Sequence, residues 1–420
     1  MGNDQERRPQ PRVKEPNRKQ GEIRFEVPED TLPPMHPARV LWNVVGTLDL
    51  GKFLKKAKAV VGRAGRDTIS PALKLTLWLY AISQGIGSAR EIERLTRSDD
   101  AFRWIVGDLT VGHHTLSGFR AGHGEALDAL MTDILASLLH KGVLSLELAA
   151  QDGMRVRAAA TAPSFRSYGS LLECRAQAAL HLKAVLAQAD DPELSTAQHA
   201  RRVAAARDFQ QRIEDAIATV QELQATRKPS ASTPRASTTD EEARVMKMAD
   251  GGFRPAYNVQ MATAGSPLGG PRTIIGVRLT NLGSDMNAIT PMLDDIERRI
   301  GKLPEVLLAD ANHGAHDGIR DAAARGVELL VAVPAYSRNP TSHHAAMDDA
   351  IVAWRARMET EDAKKLYKAR ASLCELMNAH LRCHHGVNQF LVRGLAKVTC
   401  VVLFGAIASN ILQHAATLLA

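Results

Sequence analysis

The chain has 420 residues, of which 45% are hydrophobic, so it is long and apolar enough for about two or three domains. Its net charge of +7 favours a polyanionic partner, whereas 4% aromatic residues argues against a protein that binds single strands by base stacking. Four cysteines without CxxC spacing predict reduced thiols. Because the N-terminus has no signal-peptide core and the longest apolar run, residues 398–407, is too short to span a bilayer, we expect a soluble protein.

The N-terminal third is predicted to be helical after a polar start. Residues 1–34 are rich in Pro, Arg, Lys and Gln, which is typical of a disordered arm. Residues 35–142 carry helix signals, including Ser70 before Pro71 and a capping box from Ser88 to Glu91. Two interpretations remain open: a helix-turn-helix-like DNA reader, or a plain bundle with a charged exterior. The arginines of this region are Arg90, Arg94, Arg97, Arg103 and Arg120.

The pattern changes to strand at residues 143–149, where leucines alternate. Asp152 and Gly153 follow, and residues 154–158 alternate again as in the second strand of a hairpin. A carboxylate at a strand end beside glycine suits a metal site, although Asp-Gly is also an ordinary turn. Residues 165–227 then predict a helical hairpin, inserted over about 165–240 and packed through its own apolar stripe, with a linker at 230–239.

Residues 256–334 predict a mixed α/β region. Residues 257–261 and 273–279 form a hairpin, and Ser284 with Asp285 caps the next helix. Residues 306–309 form a short buried strand that ends at Asp310, and a helix and a strand follow over 319–324 and 329–333. Three antiparallel strands followed by βαβ units predict a mixed sheet flanked by helices, with the chemistry at strand ends.

A further helix is predicted from residue 367 to 385, because this stretch contains no Gly or Pro. Tyr367, Arg370, Glu375 and Arg382 lie on one broad face of it. A lone carboxylate among cations suits an acid that holds a divalent metal while its neighbours hold a phosphate backbone. The alternative is a solvated, salt-bridged helix face. The nearby cluster of His380, Cys383, His384 and His385 lacks a second ligand pair at finger spacing, so no zinc site is predicted.

Three acids stand out together: Asp152, Asp310 and Glu375. If the first and later strands are neighbours, the two aspartates meet at one edge of the sheet and the helix brings in the glutamate. Converging carboxylates repel one another unless divalent cations bridge them. Two Mg²⁺ ions roughly 4 Å apart are able to activate a water or a 3′-hydroxyl and stabilise the leaving oxygen of a phosphodiester.

In this arrangement the chain resembles bacterial insertion-sequence transposases of the DDE type, which have an RNase H-like catalytic core. The resemblance covers about residues 35–415 and depends on the order and spacing of its motifs. Those motifs lie at residues 73–80, 85–93, 102–104 and 114–120, and then at 152–157, 257–260, 308–310, 367–382 and 393–395.

The resemblance implies a cut-and-join transposase with Asp152, Asp310 and Glu375 as the metal-binding catalytic triad. It implies DNA contacts by Tyr367, Arg370, Arg382, Arg393 and Arg120. Mg²⁺ is the expected cofactor, with Mn²⁺ as a substitute. The expected partners are double-stranded DNA, as terminal inverted repeats and target, and a second copy of the chain in a homodimer on DNA. The helical region 35–142 would recognise the repeats, residues 143–420 would form the catalytic domain, and the protein would work in the bacterial cytoplasm at the nucleoid.

Several positions depart from the family pattern. Arg382 replaces a lysine, Asn312 to Gly314 replace a Gly-Tyr pair, and Asn378 with Ala379 replace Phe-Gly. These changes leave open a catalytically inactive DNA-binding derivative, a repressor of the same element, or a nuclease without strand joining. His313, near Asp310, either orients water or makes a local hydrogen bond.

Overall fold

The computed structural model describes residues 27–55, 67–188, 194–226, 233–333 and 349–420. Most of the predicted arm, residues 1–26, and the first part of the predicted linker, residues 230–232, lie outside the described residues. The described end of the arm contains a single 3₁₀ turn, Pro28–Thr31.

The N-terminal region is helical, as predicted. Its helices are α1 (Pro37–Gly46), α2 (Gly51–Leu54), α3 (Pro71–Ser83), α4 (Ala89–Ser98), α5 (Asp100–Val106), α6 (His113–Gly122) and α7 (Gly124–His140). Ser88 is the N-cap of α4, and its side chain accepts from the backbone N–H of Glu91, which is one of the two bonds of the predicted capping box. Nearly all of α3 is buried, because its residues are apolar on every side.

In the described residues the strands are β1 (Leu148–Arg157), β2 (Phe165–Arg166), β3 (Ala236–Ser237), β4 (Arg244–Lys247), β5 (Phe253–Ala264), β6 (Thr273–Thr280), β7 (Val306–Ala309) and β8 (Glu328–Val331). The remaining helices are α8 (Tyr168–Ala187), α9 (Thr196–Ala225), α10 (Ile289–Ile300), α11 (His316–Ala324), α12 (Asp349–Glu359), α13 (Glu361–Tyr367), α14 (Leu376–Cys383), α15 (Leu395–Gln413) and α16 (Ala415–Leu419).

One mixed sheet forms the centre of the molecule. Strand β1 pairs antiparallel with β5 and parallel with β7, and β8 continues the parallel side. The other edge of β5 pairs antiparallel with β4 and β6. The predicted α/β class and mixed sheet are therefore confirmed, and three antiparallel strands followed by two parallel ones are consistent with an RNase H-like core.

The predicted turn at Asp152 and Gly153 is wrong, because β1 runs straight through both residues. Asp152 lies opposite Met261 and Gly153 opposite Gln260 in the antiparallel ladder. A Cβ at Gly153 would lie 2.2 Å from the Gln260 side-chain nitrogen. Glycine therefore occurs here to make room for a neighbouring side chain rather than to bend the chain.

The predicted helical hairpin is present as α8 and α9, which follow β1. Ile213, Ile217 and Val220 of α9 are buried against Leu171 and Ala178 of α8. The hairpin therefore has a core of its own, as the apolar stripe predicts, and the short pair β2–β3 lies at its base.

Helix α15 joins the N-terminal helices to the sheet. It is long and apolar enough by composition to cross a membrane, which corrects the expectation that this segment is too short. Two thirds of its apolar window is buried, and it packs against α1, α3, α6 and α7 as well as β6. Asn410 bonds both backbone groups of Ile274, each at 2.8 Å. Helix α15 is thus a core helix, and the domain boundary at residue 142 stays a prediction.

Candidate active site

The sheet brings Asp152 and Asp310 side by side. In the parallel pair β1–β7, Gln151 lies opposite Ala309, so the next residues are Asp152, within β1, and Asp310, directly after β7. The condition that these two strands be neighbours is therefore met. The carboxylates lie where β7 ends, which is where sites form in sheets of this kind.

Asp152 is a mostly buried carboxylate beside another acid. Its Oδ1 accepts from the backbone N–H of Gly153 at 2.9 Å, and its Oδ2 accepts from Asn378 Nδ2 at 3.0 Å. Burial raises the pKa of Asp152, and the negative charge of Asp310 raises it further. The folded chain thus disfavours the charged form of Asp152 unless a cation is near.

Asp310 has more hydrogen-bond partners than Asp152. Its Oδ1 lies 2.5 Å from His313 Nδ1 and accepts from the backbone N–H of Asn312 at 3.1 Å, and its Oδ2 accepts from Asn312 Nδ2 at 2.9 Å. Burial alone would raise the pKa of Asp310, but the bonds from His313 and Asn312 outweigh it, so this pKa is lowered. Of the two predicted roles for His313, the structure contains the local hydrogen bond.

Glu375 lies in a π-helical turn, Ala371–Glu375, between α13 and α14. The predicted uninterrupted α-helix is therefore wrong at this point. In a π-turn residues five apart come onto one face, and Arg370 Nη2 accordingly lies 2.6 Å from Glu375 Oε1. Arg272 Nε also donates to the Ser372 carbonyl at 2.6 Å, which links the turn to the β5–β6 loop. Such turns are frequent at functional sites.

Glu375 faces Arg370 rather than the two aspartates. Among the residues that the structure describes, no group of three or more His, Cys, Asp and Glu side chains is arranged to hold a metal. Arg370 interacts electrostatically with both Asp152 and Glu375 and lies 5.9 Å from the centre of the Tyr367 ring. The guanidinium therefore supplies positive charge to this group of acids.

The side chains around Asp152 nevertheless fit a hard divalent cation. Asn378 Oδ1 is buried and has no hydrogen-bond partner among the residues that the structure describes, and it lies next to the amide nitrogen that binds Asp152. Together with Asp152 and Asp310 it offers only oxygen donors, which Mg²⁺ and Mn²⁺ prefer. We define Asp152, Asp310, Glu375, Arg370 and Asn378 as the candidate active site.

The predicted DNA contacts divide into exposed and buried residues. Arg393 is exposed, and Arg382 and Tyr367 are partly exposed on the same C-terminal segment as Glu375. Arg120 instead is 5% exposed, with its guanidinium 4.5 Å from the Trp78 ring centre and bonded to the Gly87 carbonyl. A side chain buried in this way supports packing, so Arg120 is corrected from a DNA contact to a core residue.

A group of buried polar residues on the opposite face of β1 was not predicted from the sequence. Asp285, expected to cap a helix, does not cap α10, whose N-cap is Ala288. Its carboxylate accepts from Arg155 at 2.9 Å, Asn258 at 2.7 Å and Gln260 at 2.6 Å. The sequence does contain a pattern that could have indicated this group, because polar residues alternate with apolar ones in the strand, as at Asn258 and Gln260.

Comparison with known proteins gives two family matches. The transposase DDE domain model matches residues 337–415, which include the Glu375 turn and α15. A transposase domain of the DUF772 type matches residues 26–122, in the N-terminal helical region. No curated protein and no solved structure gives a significant match. Both models describe transposases, and one matches before the sheet and the other after it, so the two matches together support an insertion-sequence transposase of the DDE type.

Proposed function

We propose that the protein is a DDE transposase that cleaves DNA at the ends of its element and joins the freed 3′-hydroxyl to target DNA in a reaction that needs a divalent cation. Asp152, Asp310 and Glu375 are the proposed cation ligands, and Mg²⁺ is the proposed ion, with Mn²⁺ as a substitute. The single observation that carries this proposal is the parallel pairing of β1 and β7, which brings two carboxylates together at one strand end.

The candidate active site supplies the oxygen ligands such a reaction requires. Asp152 and Asp310 would hold the ion from the sheet, and Glu375 would complete the set from the helix after leaving Arg370. A bound divalent ion would polarise the phosphodiester and activate the attacking hydroxyl. Arg370, released from Glu375, would then be free to bind a phosphate oxygen through its planar guanidinium.

The proposed DNA surface follows the C-terminal segment that carries Glu375. Tyr367, Arg382 and Arg393 would contact the phosphates of the element's end, beside Arg370. The N-terminal helices would recognise terminal inverted repeats, and two copies of the chain would hold two ends together as a homodimer on DNA. The protein would act in the bacterial cytoplasm, where DNA is accessible.

The experiment is to incubate the protein with a supercoiled plasmid that carries both ends of the element, with Mg²⁺ or EDTA. Cation-dependent cuts at the ends followed by joined products support the proposed transposase. Cuts without joined products would indicate a nuclease, and end binding without any cut would contradict the proposed reaction.

A second candidate, a DNA-binding derivative without activity, is favoured by two observations. Glu375 is engaged by Arg370, and Asn378 stands next to Asp152 where the family pattern has phenylalanine. If this candidate is right, the protein binds the ends in a salt-dependent manner and no cation restores cleavage.

A further inference from the structure

A chain of buried polar side chains leads from the candidate active site to the far face of β1. His313 contacts Asp310 through Nδ1, and its Nε2 lies 3.1 Å from Gln260 Oε1. On its other side, Gln260 Nε2 donates to Asp285 Oδ1 at 2.6 Å. His313, Gln260 and Asp285 are 0%, 2% and 4% exposed. Buried polar groups are held in place by such bonds, so each link constrains the next.

Asp285 determines which way the Gln260 amide faces. Its Oδ2 is paired with Arg155, and its Oδ1 also accepts from Asn258. An ionised carboxylate only accepts hydrogen bonds, so the Gln260 nitrogen must face Asp285 and its oxygen must face His313. Gln151 Nε2 donates to the same Gln260 oxygen at 3.2 Å, which agrees with this orientation. The Gln260 oxygen can only accept, so it holds the His313 ring with Nε2 towards Gln260 and Nδ1 towards Asp310 Oδ1.

Because of the contact with His313, the two carboxylate oxygens of Asp310 have different hydrogen-bond partners. Oδ1 is occupied by the buried His313 ring and by the backbone N–H of Asn312. Within the described part of the chain, Oδ2 has one partner, the side chain of Asn312, which is an exposed residue. An exposed amide is easily displaced, so Oδ2 is the oxygen that remains available to a cation. Ligating carboxylates are commonly oriented in this way by hydrogen bonds to their other oxygen.

The backbone of β1 is built to accommodate these side chains. A Cβ at Gly153 would lie 2.2 Å from Gln260 Nε2 and 2.7 Å from Asp285 Oδ1. Any larger residue would push Gln260 away from Asp285. Gly153 stands next to Asp152, so the strand that carries one acid also leaves space for the network that orients the other.

We propose that Gln260 and Asp285 are positioning residues for Asp310, acting through His313 to present Asp310 Oδ2 to a divalent cation. The inference rests on the proposed function, because it assumes that Asp310 is a cation ligand. It assigns a role to two buried residues that do not touch the candidate active site themselves.

The test measures binding of Mn²⁺ to the full chain, from the free-ion signal in electron paramagnetic resonance. The variants are Asp310→Asn, Asp285→Asn and Gln260→Met, the last of which keeps the side-chain volume. The matched control is Asp295→Asn, since Asp295 is also a buried carboxylate, 3% exposed and paired with an arginine, Arg299. Its described hydrogen bonds run to Arg298, Arg299 and the backbone N–H of Val277, none of which belongs to the chain from Asp310 to Asp285.

We expect Asp285→Asn and Gln260→Met to weaken Mn²⁺ binding by about tenfold or more, as is usual when the partner of a metal ligand is lost. The Mn²⁺ concentration for half-maximal cleavage should rise by a similar factor, while DNA-end binding is unchanged. Asp295→Asn should lower the melting temperature and leave Mn²⁺ binding at the wild-type level.

The outcomes separate this inference from the proposed function. If Asp310→Asn itself binds Mn²⁺ like the wild type, the proposed ligand set fails and the inference fails with it. If Asp310→Asn weakens binding but Gln260→Met and Asp285→Asn do not, only the positioning role is overturned. Should Asp285→Asn not fold, Gln260→Met decides alone.

Discussion

The two aspartates and the glutamate of the candidate active site reach it by different kinds of structure. Asp152 and Asp310 are carried by neighbouring parallel strands, whose ladder determines the spacing of their backbones. Glu375 is carried by one π-turn, held by Arg370 and by Arg272. The strand pair is preorganised, whereas the glutamate depends on a turn with irregular hydrogen bonding.

The two aspartates are therefore already in place for a cation, whereas Glu375 has to move. Both aspartates have their hydrogen-bond partners, and only a cation is needed to offset their charges. Glu375 must exchange its bond with Arg370 before it can join them. We therefore expect the sheet to behave as a rigid platform and the π-turn as the adjustable part of the site.

We expect the greatest loss of cleavage when either aspartate on the rigid sheet is substituted. Asp152→Asn and Asp310→Asn each remove a proposed ligand charge, which should cost several kcal/mol in the transition state and slow strand cleavage by about 10³-fold. Plasmid nicking measures this rate. Asp317→Asn, on an exposed aspartate paired with Arg320, serves as the control. Cleavage by either variant within tenfold of the wild type would contradict the assignment for that residue.

The adjustable part is tested by removing one residue from it. Deletion of the exposed Ala371 should convert the π-turn to a regular α-helix, because such a turn contains one extra residue. We expect thermal stability to be kept or raised while cleavage falls by about 10²-fold, since small misplacements of a catalytic group are costly. Unchanged cleavage in a variant of normal stability would show that the turn has no part in positioning Glu375.

A smaller effect is expected at Arg370, which is proposed to leave Glu375 and bind a phosphate. Arg370→Gln should weaken binding to the element's end about tenfold. The slope of log K against log salt concentration should fall by about 0.9, the amount expected for the loss of one phosphate contact. Fluorescence anisotropy over a series of salt concentrations measures both. The control is Arg357→Gln, which loses a pair with Glu328 instead. An unaltered salt dependence for Arg370→Gln would argue against a phosphate contact.

The weakest of these effects is a change in the free energy of unfolding in the absence of divalent cations. The pKa of Asp152 is raised, so its charge costs stability above its ordinary value of 3.8, and the cost disappears as the pH falls below that value. Asp152→Asn should therefore stabilise the protein at pH 7 by on the order of 1 kcal/mol, and this gain should shrink towards pH 4. Urea unfolding in EDTA measures it.

Asp310 is expected to behave in the opposite way. Its pKa is lowered, so its charged form contributes stability above the ordinary value of 3.8, and that contribution is lost as the pH falls through the lowered pKa. Asp310→Asn should thus destabilise the protein at pH 7. Equal effects of the two substitutions would show that the aspartates do not differ in environment.

Much of the fold could be predicted because it depends on local patterns. The β5–β6 hairpin, the α8–α9 hairpin and the strand that ends before Asp310 all follow from periodicity and turn residues, which neighbours in sequence determine. The Asp-Gly step in β1 was predicted wrongly, because its local signal is that of a turn. Its actual conformation is imposed by β5 and β7 on either side.

The order of helices and strands, and the position of Asp310 just after a strand, follow from patterns within a few residues of the chain. Three contacts arise only on folding: Glu375 pairs with Arg370, Arg120 is buried beside Trp78, and Asp285 binds Gln260. The last two depend on contacts between residues far apart in the chain. The first depends on a π-turn supported by Arg272 from another hairpin. Periodicity along the chain does not record such distant contacts, so they become visible only once the chain is folded.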